Sequence, residues 1–455
     1  MRRAVLGFCL ATCGCSAPSS DVTLTIRQPV NRMLLGSVAH LVLRADRDGR
    51  TIAQAAFAAD ASSVSMSRVP YGARTTFTLD GLSSAGDSLA HGSTCPLDFE
   101  LGAEAAAMYL APTHHFSATA GAPVSTLARQ MAVTLASGDV LLAGGLSGSS
   151  AVATTQLFHR DRGTFEASAR VLSAPRAGAE ASVLSVGTLL TGGVDGNGNA
   201  LDSAELYYAA TGTFEPVVSQ SLGARSEHRA NVLAGDRVLL TGGYGANHVA
   251  VNTSAIVSVG SDGSSQVTPG PPLTVARAAH ATIVAVGTPV VIGGYDATGK
   301  PLASIEALSI ADDGDIGRFE LVAGLQFARA ETTATLLADG SILVVGGIGS
   351  DGQPRVDAEV FNPITQTTRV YGLATARSRH TATLLPDGRV LIVGGVGADG
   401  ALVANNELFV TDVGFVSEQP LLSAREGHLA LPLCDSSVLV TGGAADAELY
   451  MPAPE

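Results

Sequence analysis

Arginine recurs in this 455-residue sequence at Arg129, Arg176, Arg225, Arg277, Arg329, Arg377 and Arg425, each fifteen to seventeen residues ahead of a glycine pair. Seven guanidinium groups brought to one ring would bind an anion. An arginine in every copy is equally what a structural repeat requires, and that is the main reading here. Glu205, Glu306, Glu359, Glu407 and Glu448 recur further along and are the expected ion-pair partners, with Gln156 and Ala255 standing in their place in two copies. Three residues after four of the arginines come His228, His280, His380 and His428, against Ala132, Ala179 and Thr332 elsewhere. Imidazoles can ligate a metal. At a repeat position they are read instead as hydrogen-bond partners between neighbouring units, and no metal is assigned.

The elements that must position these groups are written seven times. The glycine pairs are Gly144-Gly145, Gly192-Gly193, Gly242-Gly243, Gly293-Gly294, Gly346-Gly347, Gly394-Gly395 and Gly442-Gly443, in steps of 48 to 53 residues. Each follows an apolar run such as LLAGG or LIVGG, a strand buried on both faces. Asp339-Gly340 and Asp387-Gly388 mark hairpins ahead of two of these runs. Five residues after each arginine the side chain is small (Thr134, Ala181, Ala230, Thr282, Ala334, Ala382, Ala430), as a strand crowded against a central axis needs. The paired glycines end the second strand where a side chain would clash or a positive φ is required.

A diglycine repeat near fifty residues resembles the kelch repeat over about three quarters of the chain. The resemblance implies four strands per unit and a closed β-propeller. The chain has no Trp, so Phe165, Phe214, Phe319 and Phe415 stand in for the usual kelch tryptophan. After Gly443 the chain supplies a third strand but no fourth, and the segment near 115–120, around Phe116, is expected to close the last blade. The fold class is therefore all-β: a seven-bladed kelch-type propeller over 113–455, preceded by a small β-sandwich over 16–112 and a leader over 1–15. Among kelch proteins, galactose oxidase has a similar β-domain ahead of its propeller, and a carbohydrate-active enzyme of that type is the alternative reading. Its copper site needs a cysteine crosslinked to tyrosine. The only propeller cysteine here, Cys434, falls in a turn on the opposite face.

The preceding domain is immunoglobulin-like or transthyretin-like, with strands at Val22–Ile26, Leu41–Leu43, Thr75–Leu79 and Met108–Leu110 and turns at Asp48-Gly49 and Asp80-Gly81. Arg2-Arg3 ahead of an apolar run has the form of an export leader, and Cys15 resembles a lipobox cysteine, with Cys13 the alternative. Lipidation of Cys15 would leave Cys95 and Cys434 as an even pair in an oxidising compartment, either bonded or two buried thiols. Ser16 after Cys15 fits delivery to the outer membrane of a Gram-negative envelope, with a lipid anchor as the sole membrane attachment. A net charge of −14 and no Lys/Arg-rich run exclude nucleic acid as a partner.

The loops after the glycine pairs vary most and are the expected binding surface for a protein or glycan. Their candidate residues are Asp195, Asn197, Asn199, Tyr244, Tyr295, Asp296 and Asp351. Asp195, Asn197 and Asn199 are spaced like the start of a calcium loop, but Leu206 stands where the closing glutamate belongs. Asp312, Asp313 and Asp315 read as a solvated acidic turn. No catalytic constellation can be placed, so no catalytic residue and no cofactor is assigned; a non-catalytic adaptor is the expectation, and a purely structural envelope component a further alternative.

Overall fold

The structure, a computed structural model, describes residues 19–28, 35–99, 106–217, 221–310 and 316–454. Cys13, Cys15 and the acidic turn at Asp312, Asp313 and Asp315 lie outside the described residues. The architecture is all-β. Seven four-stranded antiparallel sheets, numbered 1 to 7 here in chain order, account for the repeat. In sheet 6 the strands Thr381–Leu384, Val390–Val393, Asn406–Val410 and Gly414–Glu418 are neighbours in sequence and in space.

The second strand is buried at every position because it has an apolar neighbour on each side. Val390 and Ile392 pack with Leu343 and Val345 of sheet 5, and Leu391 and Val393 with Val438 and Val440 of sheet 7. Equivalent clusters join sheets 1 to 2, 2 to 3, 3 to 4 and 4 to 5. A further cluster joins sheet 7 back to sheet 1 through Leu439, Leu449 and Met451 against Val140, Leu142 and Phe158. Burial is thus continuous around a cycle of sheets. Phe165, Phe214 and Phe415 pack at tilted angles against Phe158, Tyr207 and Phe409, with 4.8 to 5.2 Å between ring centroids. Phe319 is buried between sheets 3 and 4.

Sheet 7 takes its outer strand from before the repeat. His115–Ala118 pairs antiparallel with Glu448–Met451, with His115 opposite Met451. Phe116 stacks on Tyr450 at 4.9 Å, which fixes that register. The glycine pairs have both properties expected of them. Gly346 and Gly347 have φ of 54° and 93°, and a Cβ on either would collide with a carbonyl, that of Arg377 or of Ala330.

Ahead of the cycle, a three-stranded sheet (Ser63–Pro70, Ser19–Arg27, Ala106–Tyr109) and a six-stranded sheet containing His40–Arg47 and Gly72–Leu82 share one apolar core. Leu24, Val64 and Met108 come from the first sheet, and Leu41, Leu43, Phe77 and Leu79 from the second. One expectation fails here. Asp80-Gly81 is not a turn but lies inside Gly72–Leu82. Asp80 tolerates burial because Arg44 Nη2 and His91 Nδ1, from the two flanking strands, each lie 2.7 Å from its carboxylate. Asp48-Gly49 is the turn expected, with both residues at positive φ. Cys95 and Cys434 are joined by a disulfide, Cα atoms 4.9 Å apart, which ties the six-stranded sheet to the first hairpin of sheet 7. No helix among the described residues is long and apolar enough to cross a membrane.

Candidate functional site

Six of the seven repeat arginines are at most 2% exposed, so they form no anion site. Each carries out two structural tasks. Its main-chain carbonyl accepts from the second glycine of the preceding sheet, as in Gly347 N–H to Arg377 O at 2.9 Å. Its guanidinium donates within its own sheet, as in Arg377 Nη1 to Gly394 O at 3.1 Å and Nη2 to Glu407 Oε1 at 2.9 Å. The second carboxylate oxygen then accepts a main-chain N–H, that of Ala374, at 2.8 Å. Arg176, Arg277, Arg329 and Arg425 pair in the same way with Glu205, Glu306, Glu359 and Glu448. Arg225 has Ala255 opposite and no carboxylate, so it donates to the carbonyls of Leu222, Gly223 and Gly242. Burial lowers its pKa to about 10.

Arg129 is a correction. The carbonyl that accepts from Gly443 belongs to Leu127, at 3.1 Å, so Leu127 occupies the arginine position of sheet 1 and Arg129 lies two residues beyond it. Buried Gln156 sits where the glutamate would be, so both charges of the pair are replaced together. The shorter fifteen-residue spacing to Gly144 was the sequence signal for this shift.

The histidines link sheets. His228, His280, His380 and His428 place Nε2 3.0 to 3.1 Å from the hydroxyls of Thr191, Thr241, Thr333 and Thr381 in the preceding sheet. Gln130 holds the same place in sheet 1. Burial, reinforced by neighbouring arginines, holds all four well below the usual histidine range, His428 at about 3. The folded protein therefore resists protonation that the unfolded chain accepts from about pH 6.5 downward. Stability is expected to be complete above that pH and to fall below it by about 1.4 kcal/mol per pH unit for each histidine. Thermal midpoints between pH 7 and 5 would measure this. The His428→Gln variant, which copies Gln130, should flatten the slope, and an unchanged slope would refute the assignment.

Two residues past each buried arginine, and past Leu127 in sheet 1, the chain adopts positive φ: Arg129, Gly178, Glu227, Ala279, Glu331, Arg379 and Gly427, at 49° to 61°. Main-chain hydrogen bonds connect these positions from sheet to sheet: Arg129 N–H to Gly427 O at 2.7 Å, Gly178 to Arg129 at 2.9 Å, Ala279 to Glu227 at 3.0 Å, and Glu331 to Ala279 at 2.9 Å. Arg379 N–H likewise reaches Glu331 O at 3.4 Å, so the bonds form two runs, from Glu227 to Arg379 and from Gly427 to Gly178. Arg129 reaches past Gly178 to pair with Glu227 of sheet 3. Arg379 donates through Nε to Glu331 at 2.8 Å and through Nη1 to Glu426 at 3.3 Å. Deeper in, Arg229 pairs with Glu180 at 2.6 Å.

The candidate loop residues separate into two groups. Asp195 accepts the main-chain N–H of Asn197 and of Asn199 at 2.8 Å and the Asn199 amide at 3.1 Å. Asp296 accepts from Thr298 and Lys300, and Asp351 from Gln353. These aspartates build their own turns. Tyr244 and Tyr295 instead follow the glycine pairs directly and are half-buried at the mouth. Burial, with Glu331 nearby, raises both hydroxyl pKa values, that of Tyr295 to about 12. Between sheets 5 and 6 a cavity of about 370 Å³ opens there, lined by Tyr295, Glu331, Gln353, Ser378, Arg379 and Gly397 among others. Of these lining residues the sequence marks Tyr295 and the variable loop that carries Gln353, but not Glu331 or Arg379, because nothing local marks which residues of separate units meet. Nor does it mark Asp139, His159 and Asp161, whose polar atoms lie within 4.8 Å of one another. His159 there is already engaged by Glu166 at 3.2 Å.

No family model matches the chain, and no curated protein matches it. Among solved structures, that of YjhT is similar, with a TM-score of 0.50 at 14% identity, over 66% of this chain and 99% of that one. At that identity the likeness bears on the fold alone.

Proposed function

We propose that the chain is an exported kelch-type protein, lipid-anchored through Cys15 in the cell envelope, whose seven sheets are the blades of a closed β-propeller carried behind a β-sandwich. It acts as a non-catalytic adaptor that binds a protein or glycan partner on the loop face. The observation that carries this reading is the cavity itself: Tyr295, Glu331 and Arg379, each following or preceding a strand of a different sheet, line one open cavity, on loops held by a rigid scaffold. The Cys434 sulfur is engaged with Cys95 on the other side of the sheets, which favours binding over a copper oxidase of the galactose oxidase type.

The test is capture of envelope components by the protein from Ser16 to Glu455. A matched variant would have the loops at 195–199, 295–300 and 348–352 replaced by short turns. A partner held by the native chain and lost by the variant is the expected result. Equal capture by both, or none by either, would overturn the loop-face assignment.

A further inference from the structure

We infer that the ligand taken at this mouth is an uncharged saccharide, held in the cavity between sheets 5 and 6 with Tyr295 as its platform and Glu331, Gln353 and Arg379 as its hydrogen-bonding edge. This rests on the loop face being the binding face.

Charge balance selects against ions. Arg379 is the exposed cation of the cavity, and both Glu331 and Glu426 hold it, with Nε and Nη2 on Glu331 at 2.8 and 3.3 Å and Nη1 on Glu426 at 3.3 Å. An anion would have to displace those carboxylates, and a cation would meet the guanidinium. A chain of net charge −14 also repels polyanions.

Within the lining itself Glu331 and Arg379 cancel, and the remaining lining groups are neutral. Carboxylate, guanidinium and amide are planar groups with paired donors or acceptors, suited to vicinal hydroxyls. The Tyr295 ring, Ile348 and Val396 supply an apolar wall for the C–H face of a sugar ring. Gly352, Gly397 and Gly400 also line the cavity and bring no side chain into it. Glu331 and Arg379 sit at φ of 52° and 54°, the conformation that the equivalent residue adopts in every sheet.

The experiment is titration of the whole protein, by calorimetry and saturation-transfer NMR, with neutral hexoses, N-acetylhexosamines and their disaccharides, alongside a uronic acid and an unacetylated amino sugar. Neutral sugars should saturate a single site. Tyr295→Ala and Gln353→Ala should each weaken it about threefold to tenfold, the span that an aromatic contact and a net hydrogen bond are respectively worth, while Glu320→Ala, on an outer strand, leaves it unchanged. Glu331→Gln should leave Arg379 paired with Glu426 alone and shift preference toward the uronic acid. The inference is overturned if no neutral sugar binds, if only a charged sugar binds, or if Tyr295→Ala binds as the native protein does. Loop-dependent capture of a partner in the absence of sugar binding would leave the broader reading standing and remove this one.

Discussion

Replacing Glu407 with alanine is expected to destabilise the protein by about 3–5 kcal/mol, the cost of stranding a buried charge. Arg377 is 0% exposed, and its remaining acceptors would be the neutral carbonyls of Gly394 and Asn405. Burial already pulls its pKa down, and Glu407 opposes that pull. The Ala374 N–H would lose its acceptor as well. Sheet 1 supplies the control, because Leu127 and Gln156 fill the two positions without either charge. The double variant Arg377→Leu, Glu407→Gln is therefore expected to recover most of the loss, since replacing both partners avoids the orphaned cation. Denaturant midpoints for the single and double variants decide the matter. A loss below about 1 kcal/mol for Glu407→Ala, the range of exposed pairs, or a double variant no better than the single, would show that the pair does not carry this load.

Removing the disulfide should have an effect of similar size. The Cys95–Cys434 bond spans 339 residues, and breaking a native disulfide costs about 2–5 kcal/mol. Its location makes the expectation local as well. Cys434 lies in the hairpin of sheet 7 that also carries Asp435, and buried Arg160 of sheet 1 pairs with Asp435 at 3.1 Å. A Cβ on Gly138, in the sheet 1 hairpin, would collide with both sulfurs. The bond therefore sits where the last sheet meets the first and where the N-terminal sheets dock. In the double variant Cys95→Ser, Cys434→Ser, hydrogen exchange should rise first in His115–Ala118 and Glu448–Met451, the paired strands that close sheet 7. Counting thiols under denaturing, non-reducing conditions should find neither cysteine free. Two free thiols, or an unchanged exchange pattern in the variant, would remove the clamp from the account.

The cavity residues show where sequence reasoning stops. Tyr295 was marked by its place in a variable loop directly after Gly294. Arg379 and Glu331 carried no such mark, since each is one charged residue in a segment whose equivalents are Gly178, Ala279 and Gly427. Their meaning comes from being side by side on neighbouring sheets, 48 residues apart in the chain. Arg129 shows the opposite hazard. It is an arginine at nearly the right spacing, and only the hydrogen bond from Gly443 to Leu127 reveals that it belongs to the mouth and not to the buried set.

What the sequence determined by itself were the features that every unit repeats: the wholly apolar second strands, the glycine pairs at positive φ, the histidines as links between sheets and the strand around Phe116 that completes sheet 7. These are local signals written several times over, and burial on both faces leaves them little freedom. The tertiary structure alone decided the pairing of Arg129 with Glu227, the sharing of Arg379 between Glu331 and Glu426, and the burial of Asp80 within a strand. Those contacts join residues far apart in sequence, whose nearness is set by the curvature of the cycle and the packing of one sheet on the next, which no local pattern encodes.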